Sequence, residues 1–570
     1  MSQEFQVSGA NPAAKFTLKV HRGDGMALLA MNWKQGTPPD DFVGFAIEYM
    51  EPGGDRFFAL KNRLCFRNSG GGVNPNRLST RQSPIQMFRW VHFPRNAELD
   101  GAFVYRVTPV FMNAADELSY GEAQEASIEL RRETFPGKLN VTFTRGFVAS
   151  QAFVDRYQSK GEIKLMLPGK ADDGLTFTPT HPETENALAW MGFEARSAIL
   201  ELLDQAVADT EAKVGVIAYD LNEPGVLSRL EKLGKRVRVI IDDEGAHGEP
   251  ESAEKQAEDR LVASAGRDQV IRQHMGNLQH NKMIVVKGPQ VSAAVGGSTN
   301  FSWRGFFVQN NNALVMRGEA VADLFMAAFE HYWSCENQVA TFGGTTSAGW
   351  QDLPLEGIDA RIAFSPHVKK NALLASIAQD IGTTTSSLFY SLAFLSQTPG
   401  AIKEAIKEVT AKEVFVYGIA DKKVGGIALD KPDGNTAPVF ASALAKNVPV
   451  PFNAEPTGGG GTRMHHKFVV IDFDKPTGRV YLGSYNFSSS ADTKNGENLM
   501  LVRDRRVAVA YMVEALRIFD HYAFRVAQQD AKTAKKELAL ERPPRNPGEA
   551  PWWKPFYTET HRIRDRELFA

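Results

Sequence analysis

Two stretches of this chain carry histidine, lysine, serine and asparagine at matching intervals. The first runs from His280 and Lys282 to Gly297, Ser298 and Asn300; the second runs from His465 and Lys467 to Gly483, Ser484 and Asn486. The His-to-Asn interval is 20 residues in one copy and 21 in the other. Eleven residues beyond each Asn stand Asn311 and Glu497, respectively. Asp472 follows Lys467 by five residues, and Lys287 takes that place in the first copy. An imidazole can attack phosphorus or move a proton. Ammonium groups and amide N–H groups offset the charge that builds on non-bridging oxygens. On a strand, a His and a Lys two apart share one face. Two such copies facing each other would pool two imidazoles and two ammonium groups in one pocket, a suitable site for a phosphate diester.

The paired pattern, His-x-Lys, four residues, Asp, then Gly-Ser-x-Asn, resembles the phospholipase D superfamily over about residues 140–525. The second copy fits in full with His465, Lys467, Asp472, Gly483, Ser484 and Asn486, and Glu497 stands where many members carry Glu. The first copy departs at Lys287 and Asn311. The resemblance implies a two-step reaction without metal or other cofactor. One histidine forms a phosphohistidine, and the other protonates the leaving alcohol and then activates water. Catalytic roles are expected for His465, His280, Lys467, Lys282, Asn486, Asn300 and Glu497. Substrate contacts are expected for Ser484, Ser298 and Asn311. Asp472, Gly483 and Gly297 are expected to be structural.

A nucleophilic imidazole gains positive charge, so a carboxylate on its far nitrogen helps it. With Glu497 read as the partner of His465, His465 is expected to attack and His280 to serve as general acid and base; the resemblance leaves the reverse open, because in several members of that superfamily the N-terminal histidine, here His280, is the nucleophile. Asn311 would orient His280 without charge. His466 is expected to face away from the pocket. The TGGGGT run at 457–462 is read as a loop, with phosphate binding through its backbone amides as the alternative.

The elements that must position these residues have a clear rhythm. Residues 1–133 alternate in short segments, Phe16–Val20, Met26–Trp33, Phe42–Tyr49, Phe103–Phe111 and Ala126–Leu130, between Gly/Pro/Asp turns. This pattern predicts an all-β sandwich, and Trp33 and Tyr105 resemble the fibronectin type III pattern. From about residue 187 helix and strand patterns alternate, which predicts α/β layers with a mixed or parallel sheet. The stretch 243–267 reads as a polar loop. The pattern restarts near residue 361, and FEHY at 329–332 is echoed by FDHY at 519–522.

The expected fold is therefore multidomain. A β-sandwich is followed by a duplicated α/β phospholipase D-like domain, its two halves arranged around a pseudo-twofold axis. The expected divisions are a sandwich at 1–133, a connector and first half at 134–345, a second half at 346–525, and a tail at 526–570 packed on the body. Trp552, Trp553, Phe556 and Tyr557 are the expected anchors of the tail.

Composition bounds the partners. The formal charge of −2 gives no global attraction to polyanions. It favours a phospholipid substrate over nucleic acid, a polyanion that a nuclease must hold. Peripheral membrane contact fits the lipid reading. A metal-independent nuclease is the alternative, and an inactive phosphate- or partner-binding protein the third. The two cysteines, Cys65 and Cys335, give no disulfide framework. The sequence shows neither a signal-peptide pattern nor a membrane-spanning run. Cytoplasmic placement is expected, with signal-independent secretion as the alternative.

Overall fold

In the computed structural model the described residues are 5–67, 78–94, 96–130, 133–146, 162–392, 395, 400–421, 426–432, 436–440 and 465–570. The TGGGGT loop lies outside them. The chain divides into two units, residues 1–132 with 509–570, and residues 133–508.

The first unit is built on two antiparallel sheets. One orders the strands Gln6–Ser8, Phe16–Arg22, Ala27–Trp33 and Arg89–His92; the other centres on Phe42–Met50 paired with Ala102–Met112. Alternation decides which side chains go inward. Phe16, Leu18 and Val20 meet Phe45, Ile47 and Tyr105 in one core. Trp552, Trp553 and Phe556 join that same core. The Trp552 indole donates to the Phe42 carbonyl at 2.9 Å, so this large ring is buried with its N–H satisfied.

The second unit contains two mixed sheets with the same internal order. The first runs Leu139–Phe143, Asn312–Arg317, Ser292–Gly297, Lys282–Lys287, Lys213–Ala218, Val237–Ile241 and Val270–Arg272. The second, after the short edge strand Gln351–Asp352, runs Asp359–Ser365, Glu497–Arg503, Arg479–Gly483, Lys467–Ile471, Ser387–Leu392 and Phe415–Asp421 before two further strands. In each, the strand that opens with the motif lysine is antiparallel to its neighbour on one side, Lys213–Ala218 or Ser387–Leu392. That neighbour pairs in parallel with the next strand.

One stretch differs from its sequence reading. The polar segment 243–267 holds a 3-10 turn at Gly245–Gly248 and an α-helix at Ala253–Ala265. The helix buries Ala253, Ala257, Leu261 and Ala265, a stripe spaced by four. Alanine makes such a stripe only weakly hydrophobic, so charged neighbours hide it. Ser252 starts the helix, its hydroxyl accepting from the Lys255 N–H at 3.1 Å.

Among the described residues no helix is long and apolar enough to cross a membrane.

Candidate active site

Each motif lysine opens a central strand, and each motif histidine sits two residues before it, just outside the ladder. The chain is still extended enough there for lysine and histidine to stay together. Lys467 Nζ donates to the His465 carbonyl at 2.7 Å, and Lys282 Nζ donates to the His280 carbonyl. The Gly-Ser pairs end the adjoining strands. Gly297 has φ 141° and Gly483 has φ 143°. A Cβ at these positions would lie 2.5 Å from the Asn312 carbonyl oxygen and 2.3 Å from that of Asn498, so only glycine fits.

The two halves bring His280 and His465 together. Their ring centroids lie 6.0 Å apart at an interplanar angle of 68°. The partners of the rings are crossed between the halves. His280 Nδ1 lies 2.7 Å from a Glu497 carboxylate oxygen. His465 Nδ1 lies 2.7 Å from Asn311 Oδ1 and 3.1 Å from the Ser298 carbonyl. This corrects the expected pairing of Glu497 with His465 and of Asn311 with His280. Each orienting residue lies next in sequence to its own half's motif but reaches the other half's ring, because the two sheets face each other at this point.

The hydroxyls continue the crossed chains. Ser298 donates to Asn311 Oδ1 at 3.0 Å, and Ser484 hydrogen-bonds Glu497. Ser298, Ser484 and Asn311 were expected to contact substrate. They stand behind the rings instead, fully buried, with their polar atoms committed to the rings' supports. Asn300 and Asn486 each carry a buried side-chain oxygen without a hydrogen-bond partner. Asn300 Nδ2 donates to Asp220 at 2.8 Å, so the orientation of its amide is set by a carboxylate.

Asp472 is positioned differently. It follows its strand at φ 50°, and its carboxylate accepts from the backbone N–H groups of Thr385, Ser386 and Ser387 at 2.8–3.1 Å. Burial raises its pKa, but these donors outweigh that and hold it below the ordinary value. Lys287, in the matching place, pairs with Asp323 at the surface. His466 is buried near Phe143 and Phe468, its Nδ1 3.4 Å from Asn312 Nδ2.

Burial dominates the electrostatics. It drives both histidine rings well below their ordinary pKa, helped by Lys282 and Lys467. It lowers Lys282 to about 7, against the attraction of Glu497, Asp220 and Asp242. It raises Glu497 to about 8, against Lys282. The rings are therefore neutral. A hydrogen on Nδ1, donated to Glu497 or Asn311, leaves the Nε2 lone pair free for attack or proton transfer.

Several residues here escaped the sequence reading. Asn498 Oδ1 accepts from the N–H of Gly297 and of Ser484 at 3.2 and 3.3 Å, and its Nδ2 donates to Asn281 at 2.7 Å. Asn498 thus ties the halves together. Tyr219, Asp220, Asp242 and His247 line the first half. Their one sequence signal is position, since Tyr219 and Asp242 directly follow the apolar runs of neighbouring strands.

Asp220, His247 and Glu254 offer donor atoms within 4.8 Å of one another, a group able to hold a cation. Burial would lower His247, but hydrogen bonds to Asp220 and Asp242 outweigh it and lift its pKa to about 10.

Parts of the chain are similar to known proteins. A family described as cardiolipin synthase, PLD-like domain, matches residues 199–333 and 377–519, one segment in each half. A phospholipase D of Rickettsia prowazekii is 44% identical over 48 residues, 8% of this chain and 22% of the relative. A phospholipase D of Rickettsia felis is 40% identical over 48 residues, with the same shares of 8% and 22%. The match thus spans about a fifth of these relatives' length. Among solved structures, phosphatidylserine synthase of Haemophilus influenzae Rd KW20 aligns with TM-score 0.41 and 13% identity, covering 67% of this chain and 98% of that one. The phospholipase D family member Nuc of Salmonella typhimurium aligns with TM-score 0.20 and 23% identity, covering 24% and 86%.

Proposed function

Because the chain belongs to the phospholipase D superfamily, we propose that it is a phosphodiesterase that hydrolyses the head-group phosphodiester of a phospholipid through a phosphohistidine. The observation that carries this reading is the facing pair of rings, 6.0 Å apart, each held through Nδ1 by the opposite half. In this reading the halves relate by a pseudo-twofold axis, and the phosphate sits between the rings.

His280 is the nucleophile. Its ring becomes positive when Nε2 bonds to phosphorus, and Glu497 at 2.7 Å is the carboxylate that stabilises that charge. The N–P bond forms as the bond to the leaving oxygen breaks, and the proton on His465 Nε2 passes to that oxygen. Asn311 steadies the His465 ring without charge. Burial, helped by Lys282 and Lys467, lowers the pKa of both rings in the empty site. An anionic diester offsets these lysines, so His465 can carry its proton once substrate is bound. Water then gives a proton to His465 Nε2 and attacks phosphorus, the P–N bond breaks, and His280 is restored. The lysines and the amides of Asn300 and Asn486 bind the non-bridging oxygens.

The near-neutral charge supports a lipid over a polyanion. Trapping the phosphoenzyme and mapping the label tests the mechanism. Label on the His280 peptide is expected, and label on His465 reverses the roles. Side-by-side assays on phosphatidylcholine, phosphatidylethanolamine, cardiolipin and single-stranded DNA test the substrate. Cleavage of the DNA alone would replace the lipid reading with a nuclease.

A further inference from the structure

We propose that Asp220 and His247 are a positioning pair, in which the imidazolium of His247 neutralises Asp220 so that this carboxylate can hold Asn300 beside the phosphate without repelling it. The inference rests on the phosphodiesterase reading of the same site.

Asp220 follows the strand Lys213–Ala218 and faces the end of the first motif. Its Oδ2 accepts from Asn300 Nδ2 at 2.8 Å and from the Ser302 hydroxyl at 3.2 Å. Its Oδ1 lies 3.3 Å from His247 Nε2. The other ring nitrogen, Nδ1, lies 2.8 Å from Asp242 Oδ2. A ring with a carboxylate on each nitrogen donates from both and is therefore cationic. Asp242 is fully buried, and its Oδ1 accepts from the backbone N–H of Gln279, the residue before His280, at 2.6 Å. The chain Gln279–Asp242–His247–Asp220–Asn300 thus links the beginning of the first motif to its end.

The Tyr219 ring fills the space inside this chain. Its centroid is 4.5 Å from that of His247 and 4.8 Å from that of His280, and Lys282 Nζ stands 4.8 Å from it. A bare carboxylate this close to the phosphate site would oppose an anionic substrate. With His247 beside it, Asp220 takes up one amide hydrogen of Asn300 and leaves the other for a phosphate oxygen. The second half is not built this way in sequence. Ala218 pairs with Lys282 as Leu392 pairs with Lys467, and the residues that follow are Tyr219 and Asp220 in one half, Ala393 and Phe394 in the other. Glu254 lies near the pair, its Oε1 accepting from the Leu221 N–H at 3.1 Å, and burial raises its pKa.

The test compares His247→Gln, Asp220→Asn and the double variant. Steady-state hydrolysis of bis-p-nitrophenyl phosphate is measured with calorimetric binding of inorganic phosphate. His247→Gln should raise KM and the phosphate Kd by roughly tenfold or more, with a smaller change in kcat. The double variant should recover most of that loss, because the unpaired charge is gone. Equal KM in wild type and His247→Gln, or a double variant as poor as the single, overturns the proposal. So does one equivalent of Zn²⁺ or Mn²⁺ that binds the wild type, is lost in His247→Gln and raises activity, since a metal would then hold the place given to the proton. Histidine-labelled wild type gives a reading that needs no variant. A doubly protonated His247 at neutral pH is expected, and a neutral ring refutes the pair. A wild type without activity on the diester would sink the phosphodiesterase reading, while the phosphate-binding comparison still decides the pair.

Discussion

Glu497→Gln isolates the charge behind His280. Glutamine keeps the size of the side chain and can still accept from Nδ1 through its amide oxygen, so the ring stays oriented and only the charge is lost. In the phosphohistidine and the transition state before it, the ring carries about one positive charge. Glu497 Oε2 lies 2.7 Å from Nδ1. Two unit charges about 4 Å apart interact by about 4 kcal/mol at an effective dielectric constant of 20. That is close to three powers of ten in rate. Because the neutral substrate-free ring gains little from the carboxylate, the loss should fall on kcat and leave KM nearly unchanged. Stopped-flow release of p-nitrophenol from bis-p-nitrophenyl phosphate, run above pH 8 where Glu497 is ionised, reads the first chemical step directly. A slowing of about a thousandfold in that step is expected. A Glu497→Gln enzyme that forms its phosphoenzyme within tenfold of the wild-type rate would refute the assignment of His280 and the role of the crossed pairing.

Other outcomes follow from the same geometry. Glu497 is raised from 4.5 to about 8, so its folded state keeps a proton that the unfolded chain has released. Its contribution to stability is full below pH 4.5 and is lost as pH rises towards 8; chemical denaturation of Glu497→Gln should therefore show a smaller fall in stability than wild type over that window. Asp472→Ala leaves the backbone N–H groups of Thr385, Ser386 and Ser387, the last of them buried, without their shared acceptor and should cost about 1–3 kcal/mol in urea unfolding. Gly483→Ala must place a methyl group 2.3 Å from the Asn498 carbonyl oxygen at φ 143°, and a loss of about 1–3 kcal/mol is expected, seen as a lower Tm. His280→Ala and His465→Ala should each abolish hydrolysis of bis-p-nitrophenyl phosphate; substantial turnover by either would remove the two-histidine site.

The elements were legible wherever hydrophobic periodicity was strong. The strands around Val214–Ala218, Val237–Ile241 and Lys467–Ile471 and the helix at Glu319–Ser334 follow patterns visible in the chain. The helix at Ala253–Ala265 was hidden because its buried stripe is mostly alanine among charges. The roles of Ser298 and Ser484 were hidden for another reason. A Gly-Ser step tells that the backbone turns sharply there. It does not tell whether the hydroxyl turns towards the pocket or towards the residue behind a ring. That depends on which strand end lies opposite, and here it is Asn311 and Glu497.

The sequence by itself picked out the residues that come together in the candidate site. His280, Lys282, His465 and Lys467 declare themselves by repeated spacing, because a strand converts an interval of two into a shared face. The tertiary structure alone decided which carboxylate serves which ring. Glu497 belongs by spacing to the copy that holds His465, yet it supports His280. Spacing along a chain constrains only contacts within one strand or helix. The contact between facing sheets is fixed by packing of the two halves, and no interval in the sequence records it. The same is true of Asp220 and His247, which lie in separate loops and meet only because the strands before them are neighbours.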